Sequence, residues 1–81
     1  MRIDVKMPDL SATEGSDILV KRWLVAEGAR VKRGQPLIEV ETDKATTEVE
    51  SLATGVVAEI LARPDVKVAI GEVIARIEVE P

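Results

Sequence analysis

The sequence repeats itself with an offset of 37 residues, and this repeat constrains the fold more than any other feature. Sliding the chain along itself by that offset places apolar residues on apolar residues and turn residues on turn residues, without a gap. The matched apolar pairs are Val20 with Val57, Trp23 with Ile60, Leu24 with Leu61, Val31 with Val68, Leu37 with Ile74 and Val40 with Ile77, and the matched turn pairs are Gly28 with Asp65 and Gly34 with Gly71. Two equivalent halves, neither able to bury an apolar face alone, are expected to pack face to face.

The segments within each half are predicted to be β-strands. The apolar residues are mainly Val, Ile, Leu and Ala, and the high share of β-branched side chains favours strands. Apolar and polar residues alternate with period two over residues 3–7, 47–50 and 73–79. Residues 18–25 and 55–62 alternate less cleanly, but the flanking Gly and Pro favour a strand over a helical turn. We therefore predict an all-β sandwich or flattened barrel, with about four short strands from each half.

The composition excludes several classes of function. The 81 residues make one small domain without Cys or His, which removes disulfides, thiolate metal sites and the commonest general base. The net charge of −4 and the single aromatic residue, a Trp, argue against a nucleic-acid surface. The chain has neither a membrane-length apolar run nor the apolar segment of a signal peptide. We predict a soluble cytoplasmic domain that is not itself an enzyme and holds no metal.

The junction between the two halves falls near residues 41–46, where a polar turn is expected between two strands. The chain has five lysines: Lys6, Lys21, Lys32, Lys44 and Lys67. Only Lys44 lies at this junction, whereas Lys6 and Lys21 fall at solvent-facing positions within strands. On spacing alone, a lysine in a turn is far more often a solvated charge at the tip of a hairpin than a functional residue.

The residues around this lysine resemble a known motif. The run Glu41-Thr42-Asp43-Lys44-Ala45-Thr46 resembles the lipoylation motif of dihydrolipoyl acyltransferases. Further similar runs follow the family's order: Met7-Pro8-Asp9-Leu10, Trp23-Leu24-Val25 with Glu27-Gly28, Val31-Lys32 with Gly34, and Gly55-Val56-Val57. The resemblance covers residues 3–79 and implies a flattened barrel or sandwich of two four-stranded antiparallel sheets with pseudo-twofold symmetry. We interpret residues 1–79 as a lipoyl domain and residues 80–81 as the start of an interdomain linker.

The resemblance implies a carrier function. Lipoic acid would be joined by an amide to Lys44 and act as a swinging arm between active sites held by other proteins or domains. The implied partners are a thiamin-dependent 2-oxo acid decarboxylase that loads the acyl group, an acyltransferase domain that passes it to coenzyme A, and dihydrolipoyl dehydrogenase. A lipoate ligase or lipoyl transferase would attach the cofactor, and the isolated domain would be monomeric. The compartment is the prokaryotic cytoplasm, or the mitochondrial matrix if the source is eukaryotic.

Two segments are expected to select the partners. Glu41, Thr42, Asp43 and Ala45 surround Lys44 and are candidates for recognition of the hairpin. The largest break in the repeat is a loop that, in the family, helps to select the decarboxylase: Asp9, Leu10, Ser11, Ala12, Thr13, Glu14, Gly15, Ser16 and Asp17. Here Ala12 replaces the family's Pro, the usual Met-Glu pair is missing, and Thr47 stands where Met is frequent. These departures leave the fold in place and affect the choice of partner, and so of the 2-oxo acid.

Alternatives remain for the type of carrier domain and, within the lipoyl family, for the complex that it serves. A biotinyl carrier domain of a carboxylase has the same fold and a lysine on the same hairpin, but its motif is Met-Lys-Met, whereas Asp43 and Ala45 flank Lys44. Membrane-fusion adaptors and glycine-cleavage carriers are less similar, because they have helical additions. Within the lipoyl family, the motif looks most like that of pyruvate dehydrogenase acyltransferases. The oxoglutarate and branched-chain complexes remain as alternatives.

Overall fold

A computed structural model of the protein describes residues 1–8, 18–42 and 45–79. Within these ranges the chain forms eight β-strands and no helix, so it contains no helix that could cross a membrane. The strands are β1 (Arg2–Lys6), β2 (Ile18–Trp23), β3 (Arg30–Val31), β4 (Pro36–Glu41), β5 (Thr46–Glu50), β6 (Gly55–Ile60), β7 (Lys67–Val68) and β8 (Val73–Val79).

The strands form two four-stranded sheets in which every neighbouring pair is antiparallel. One sheet has the order β1-β8-β6-β3 and the other β5-β4-β2-β7. The two sheets stay separate, so the molecule is a flattened sandwich and does not close into a barrel. The predicted all-β class and the two four-stranded antiparallel sheets are thus confirmed.

The pairing register repeats with the offset that the sequence predicts. Val20 pairs with Val40 between β2 and β4, and 37 residues later Val57 pairs with Ile77 between β6 and β8. Both ladders contain a register shift directly after these residues, so even the irregularity is repeated. The two halves are therefore related by an approximate twofold axis.

The core obeys the same symmetry. Six pairs of buried residues are related by the twofold axis. Five of them are separated by the offset of the repeat: Val20 with Val57, Val31 with Val68, Leu37 with Ile74, Ile38 with Ala75, and Val40 with Ile77. The sixth pair is Val5 with Val49, which lie at equivalent positions of β1 and β5, opposite Ala75 and Ile38. The pairs form one continuous cluster with Met7, Ile18 and Ala62. Each sheet thus covers the apolar face of the other, in a body of 38 × 19 × 18 Å, and each sheet contains two strands from each half.

Two predicted strand ends differ from the structure. Strands β2 and β6 end at Trp23 and Ile60, two residues before the predicted ends at residues 25 and 62. The reason is that the chain then crosses to the other sheet, where the Gly28 N–H donates to the carbonyl of Val57 at 2.8 Å. In the second half the N–H of Asp65 donates to the carbonyl of Val20 at 2.8 Å. These crossings hold the two sheets together.

Candidate functional site

The candidate site is the hairpin between β4 and β5. The two strands remain paired up to the turn, where Glu41 faces Thr46. One step further, the N–H of Thr42 donates to the carbonyl of Ala45 at 2.8 Å. Asp43 and Lys44 are the two residues between this bonded pair in the sequence, and they lie outside the described residues.

A side chain reinforces the closure of this turn. The Thr42 hydroxyl oxygen lies 3.1 Å from the carbonyl oxygen of Ala45, to which it donates. The same oxygen accepts the N–H of Ala45 at 3.3 Å. Thr42 and Ala45 are therefore joined by three hydrogen bonds, two of them through one hydroxyl.

The hairpin has a buried base and an exposed end. Val40 is fully buried in β4 and Val49 is buried in β5, so both strands are fixed to the core. Towards the turn, Glu41 and Thr42 are half-buried, while Ala45 is exposed. Because the backbone pairing continues from this core to Thr42, the described part of the hairpin is a rigid support for the residues that follow.

Charged residues cover the outer face of this sheet. Lys21 pairs with Glu41 at 3.7 Å, and Arg22 pairs with Glu39 at 3.4 Å. Glu48 faces Glu39 across β4 and β5, which places two like charges side by side. Such a pair of like charges is mildly destabilising, and the ion pair with Arg22 offsets part of this cost at Glu39.

The equivalent face of the other sheet has the same sum of charges in a different order. Arg76 donates to Glu59 at 2.9 Å and to Asp4 at 3.1 Å. These hydrogen bonds, the one to Glu59 first, raise the pKa of Arg76 above its ordinary value. By the repeat, Arg76 corresponds to Glu39. Their ladder partners, Asp4 in β1 and Glu48 in β5, are therefore equivalent as well. The half that contains the candidate hairpin thus has an acid where the other half has a bridging arginine.

The other lysines offer no comparable position. Lys6 and Lys21 are exposed within β1 and β2, as predicted, and Lys21 is held by Glu41. Lys32 precedes the turn at Gly34, and Lys67 lies in β7; both are exposed. Exposure therefore does not single out one lysine, whereas Lys44 is the lysine that lies, in the sequence, between the hydrogen-bonded residues Thr42 and Ala45.

The partner-selecting loop of residues 9–17 lies outside the described residues, but its downstream end is anchored beside the hairpin. Ile18, the first residue after the loop, is fully buried and begins β2. Its neighbour Leu19 pairs with Glu41, one residue before Thr42. The chain therefore enters the sheet next to the strand end that bears the turn.

A shallow groove of about 260 Å³ lies between the edge strands β1 and β5, on the approximate twofold axis. It is lined by symmetry-related pairs, Val5 with Val49, Lys6 with Glu50 and Pro8 with Leu52, together with Glu48. Within the described ranges no group of three acidic residues is placed to hold a metal ion. The groove lies at the end of β5 away from the turn, so it is separate from the candidate site.

Comparison with known proteins identifies the family. A family model described as "Biotin-requiring enzyme", of the biotin/lipoyl type, matches residues 3–77. The chain is 49% identical over 76 residues to the dihydrolipoyllysine-residue acetyltransferase component of the pyruvate dehydrogenase complex of Corynebacterium glutamicum, covering 91% of the chain and 11% of that protein. It is also 49% identical over 76 residues to the corresponding component of Zymomonas mobilis, covering 93% of the chain and 17% of that protein.

Two further matches come from other complexes. The lipoamide acyltransferase component of the branched-chain alpha-keto acid dehydrogenase complex of Bacillus subtilis is 41% identical over 76 residues, covering 91% of the chain and 17% of that protein. The solution structure of the lipoyl domain of the 2-oxoglutarate dehydrogenase complex from Azotobacter vinelandii superposes with a TM-score of 0.76 at 34% identity, covering 94% of this chain and 95% of that one. The chain spans less than a fifth of the acyltransferases that it matches. The prediction of a carrier domain is confirmed: the chain belongs to the biotin/lipoyl family and is a lipoyl domain of the kind found in the acyltransferase components of 2-oxo acid dehydrogenase complexes.

Proposed function

We propose that Lys44 carries lipoic acid in amide linkage and that the chain acts as a swinging-arm carrier of acyl groups. The observation that carries this proposal is the hairpin, in which only Asp43 and Lys44 separate the hydrogen-bonded residues Thr42 and Ala45. The relatives at 49% identity are named for a dihydrolipoyllysine residue, which supports attachment to a lysine.

The chemistry of attachment suits this position. A lysine supplies a primary amine on a long unbranched stem, which can form an amide with a carboxylic acid. An ordinary lysine has a pKa of about 10.4 and is protonated at neutral pH, so the attaching enzyme must remove a proton. In bound form, the dithiolane of lipoate supplies the centre that accepts an acyl group and two electrons. The chain's own residues fix the point from which that centre is presented.

A fixed attachment point makes the arm effective. Val40 and Val49 anchor the hairpin to the core, so the lysine-bearing turn is carried on a rigid sheet. Tethering keeps the acyl group at a high effective concentration near each active site, provided that the arm can reach it. The acidic face around Glu39 and Glu48 is proposed to contribute to recognition by partners, together with Glu41 and Asp43.

The proposed partners are those of a 2-oxo acid dehydrogenase complex. They are a thiamin-dependent decarboxylase, an acyltransferase catalytic domain, dihydrolipoyl dehydrogenase and a lipoate ligase or lipoyl transferase. We favour the pyruvate complex because two relatives at 49% identity bear its name, while the branched-chain relative is 41% identical. The proposed compartment is the bacterial cytoplasm, or the mitochondrial matrix in a eukaryote.

The test is co-expression with a lipoate ligase, followed by intact-mass measurement and peptide mapping. We expect a mass increase of one lipoyl group, located on Lys44. The variant Lys44→Arg should remain folded and unmodified, whereas the matched control Lys21→Arg should be modified like the wild type. Absence of lipoate from the wild type, or its presence on another lysine, would contradict the proposal.

The biotinyl alternative is tested on the same chain. Biotin protein ligase should leave the native sequence unmodified, because Asp43 and Ala45 replace the methionines of the biotinyl motif. The double variant Asp43→Met/Ala45→Met should accept some biotin. Efficient biotinylation of the native chain would favour the biotinyl carrier instead.

We also propose that residues 9–17 determine the choice of decarboxylase. The segment adds residues that the repeat does not require, and it enters β2 beside the end of β4 that bears the turn. Discrimination between partners needs only about 1–3 kcal/mol. Grafting this segment from an oxoglutarate-type lipoyl domain should lower reductive acylation by a pyruvate-type decarboxylase, with little change in melting temperature. An unchanged acylation rate in a folded, lipoylated graft would refute this role.

A further inference from the structure

We propose that Thr42 is the positioning residue of the carrier site: its hydroxyl locks the two ends of the lysine-bearing turn and so presents Lys44 to the enzymes that modify and use it. This inference rests on the proposed function, because it concerns how the attachment lysine is held. It assigns to Thr42 an action within the hairpin, in place of direct recognition by a partner.

The hydroxyl joins the ends of the turn in both directions. It donates to the carbonyl of Ala45 at 3.1 Å and accepts the N–H of Ala45 at 3.3 Å. In a two-residue hairpin, the residues that flank the turn commonly exchange two backbone hydrogen bonds. Here the backbone N–H of Thr42 donates to the carbonyl of Ala45, and the Thr42 hydroxyl donates to the same carbonyl. In the opposite direction, the hydroxyl oxygen accepts the N–H of Ala45.

The other half of the molecule shows what the sheet alone requires. By the repeat, Thr42 corresponds to Val79, and the matching ladders of β1 with β8 and of β5 with β4 make Ala45 equivalent to Met1. The N–H of Val79 donates to the carbonyl of Met1 at 2.8 Å, the same backbone bond at the same distance as in the hairpin. Val79 has the branched shape of threonine without the hydroxyl, so this bond forms without one. The hydroxyl clamp is therefore an addition at the half that bears the lysine.

The clamp has a consequence for every enzyme that meets the turn. Such an enzyme must find the lysine amine at a defined distance from the hairpin that it docks against. If the turn samples several conformations, only the fraction with the correct one is competent, and the apparent affinity falls by that fraction. Tying Ala45 to Thr42 restricts the two intervening residues from both sides. The expected effect is on binding and positioning, since these three hydrogen bonds of Thr42 go to the backbone of Ala45.

The experiment compares Thr42→Val, which copies the other half of the molecule, with Thr42→Ser, which restores a hydroxyl. The matched control is Thr46→Val, which removes a neighbouring hydroxyl that makes no hydrogen bond within the described part of the chain. All three should melt within a few degrees of the wild type. The kcat/KM for lipoylation by a lipoate ligase should fall about fivefold in Thr42→Val, with most of the change in KM. Thr42→Ser and Thr46→Val should stay close to the wild type.

Hydrogen exchange gives a second readout that does not depend on activity. The amide of Ala45 should exchange faster in Thr42→Val than in the wild type, while the amide of Thr42 keeps its backbone partner. If Thr42→Val does not fold, Thr42→Ala provides the same comparison. Equal kcat/KM and equal Ala45 exchange in wild type and Thr42→Val would overturn the positioning role. A wild type that accepts no lipoate would overturn the proposed function instead, so the two failures are distinct.

Discussion

The indole N–H of Trp23 donates to the carbonyl oxygen of Ala62 at 2.6 Å, which joins the end of β2 to the segment that follows β6 in the other sheet. Ala62 is buried, so its carbonyl has little access to water. By the repeat, Ile60 is the residue equivalent to Trp23 in the other half, and the side chain of isoleucine has no donor for an equivalent hydrogen bond. This hydrogen bond thus joins the two sheets on one side of the twofold axis and has no equivalent at Ile60 on the other side.

Replacing Trp23 with Phe should destabilise the domain by leaving the Ala62 carbonyl without its indole partner. We expect the free energy of unfolding to fall by about 1–3 kcal/mol, the usual cost of a buried polar group that loses its hydrogen bond. The measurement is urea denaturation followed by far-UV circular dichroism, because the variant lacks the only tryptophan. A variant as stable as the wild type would show that the bond contributes nothing to stability.

Much of this fold could be predicted from the sequence because the repeat carries the register. The offset of 37 residues places Val20 on Val57 and Val40 on Ile77, and Val20 is the ladder partner of Val40 just as Val57 is the ladder partner of Ile77. The alternation over residues 73–79 also gives the bounds of β8. These features follow from burial of one face, which both halves must satisfy in the same way.

The sequence could not predict the places where the two halves differ. The Trp23 bond and the Thr42 clamp depend on where one side-chain atom falls after the backbone has formed, and no periodicity encodes that. The N–H of Ile60 is likewise bonded to the Glu27 carboxylate at 2.8 Å, across 33 positions of sequence. The motif indicated the candidate lysine, but the support of its turn emerged only from the geometry.

Gly55 is a second such difference and gives a second prediction. It is buried in β6, at the position where the other half has the buried Ile18. A Cβ at Gly55 would collide with the carbonyl oxygen of Glu78, a backbone atom that can move only with β8. We expect Gly55→Ala to lower the free energy of unfolding by about 1–3 kcal/mol through overpacking.

The control for this variant is Gly34→Ala. Gly34 has a φ of +89° but no atom within 4 Å of an added Cβ, so alanine there is strained without a collision. Chemical denaturation of both variants separates the two costs. A smaller loss at Gly55 than at Gly34 would contradict the packing argument.

Asp65 occupies a left-handed conformation that glycine adopts more easily. Its φ is +68°, whereas its counterpart Gly28 has a φ of +89°. Asp65→Gly should therefore raise the free energy of unfolding slightly, by about 0.5 kcal/mol, since relief of the backbone strain exceeds the entropy that glycine adds to the unfolded chain. Gly28→Asp should have the opposite effect. Thermal melts of the two single variants check the sign, and a loss of stability in Asp65→Gly would count against it.

Glu78 makes the stability depend on pH. Its carboxylate accepts from the amino group of Met1 at 2.7 Å and from Arg2 at 3.3 Å. These hydrogen bonds, the one to the amino group first, hold the pKa of Glu78 below its ordinary value of 4.5. A carboxyl with a lower pKa in the folded state adds stability above its ordinary pKa, and this contribution is lost as the pH falls through the folded-state pKa. Glu78→Gln should thus melt lower than the wild type at pH 7.

The difference between the two proteins should shrink as the pH falls below 4.5, because the wild-type carboxyl is then protonated as well. Melting curves at pH 7 and at pH 3 test this. Glu72→Gln is the matched control, since the exposed Glu72 side chain forms no ion pair within the described ranges. A difference between Glu78→Gln and wild type that stays constant with pH would rule out the ionic contribution.

The bond between Val79 and Met1 predicts that the chain can be closed into a ring. The Val79 N–H reaches the Met1 carbonyl at 2.8 Å, as Thr42 reaches Ala45 across the hairpin turn. Two residues follow Val79 in the sequence, and two separate Thr42 from Ala45. A peptide bond from residue 81 to Met1 should therefore form a second two-residue turn. The substitutions Glu80→Asn and Pro81→Gly suit such a turn, because Asn-Gly adopts the positive φ angles that tight hairpins require.

Closing the ring should stabilise the fold by restricting the unfolded chain. The chain-entropy argument for closing a loop of this length gives about 4 kcal/mol, and engineered closures usually deliver less, so we expect about 2–4 kcal/mol. The comparison is urea denaturation of the cyclised and linear forms of the same Asn-Gly sequence, which isolates the new peptide bond. Because β1 and β8 already pair as β5 and β4 do, closure should leave the sandwich unstrained. A cyclised form no more stable than its linear control would mean that joining the ends distorts that pairing.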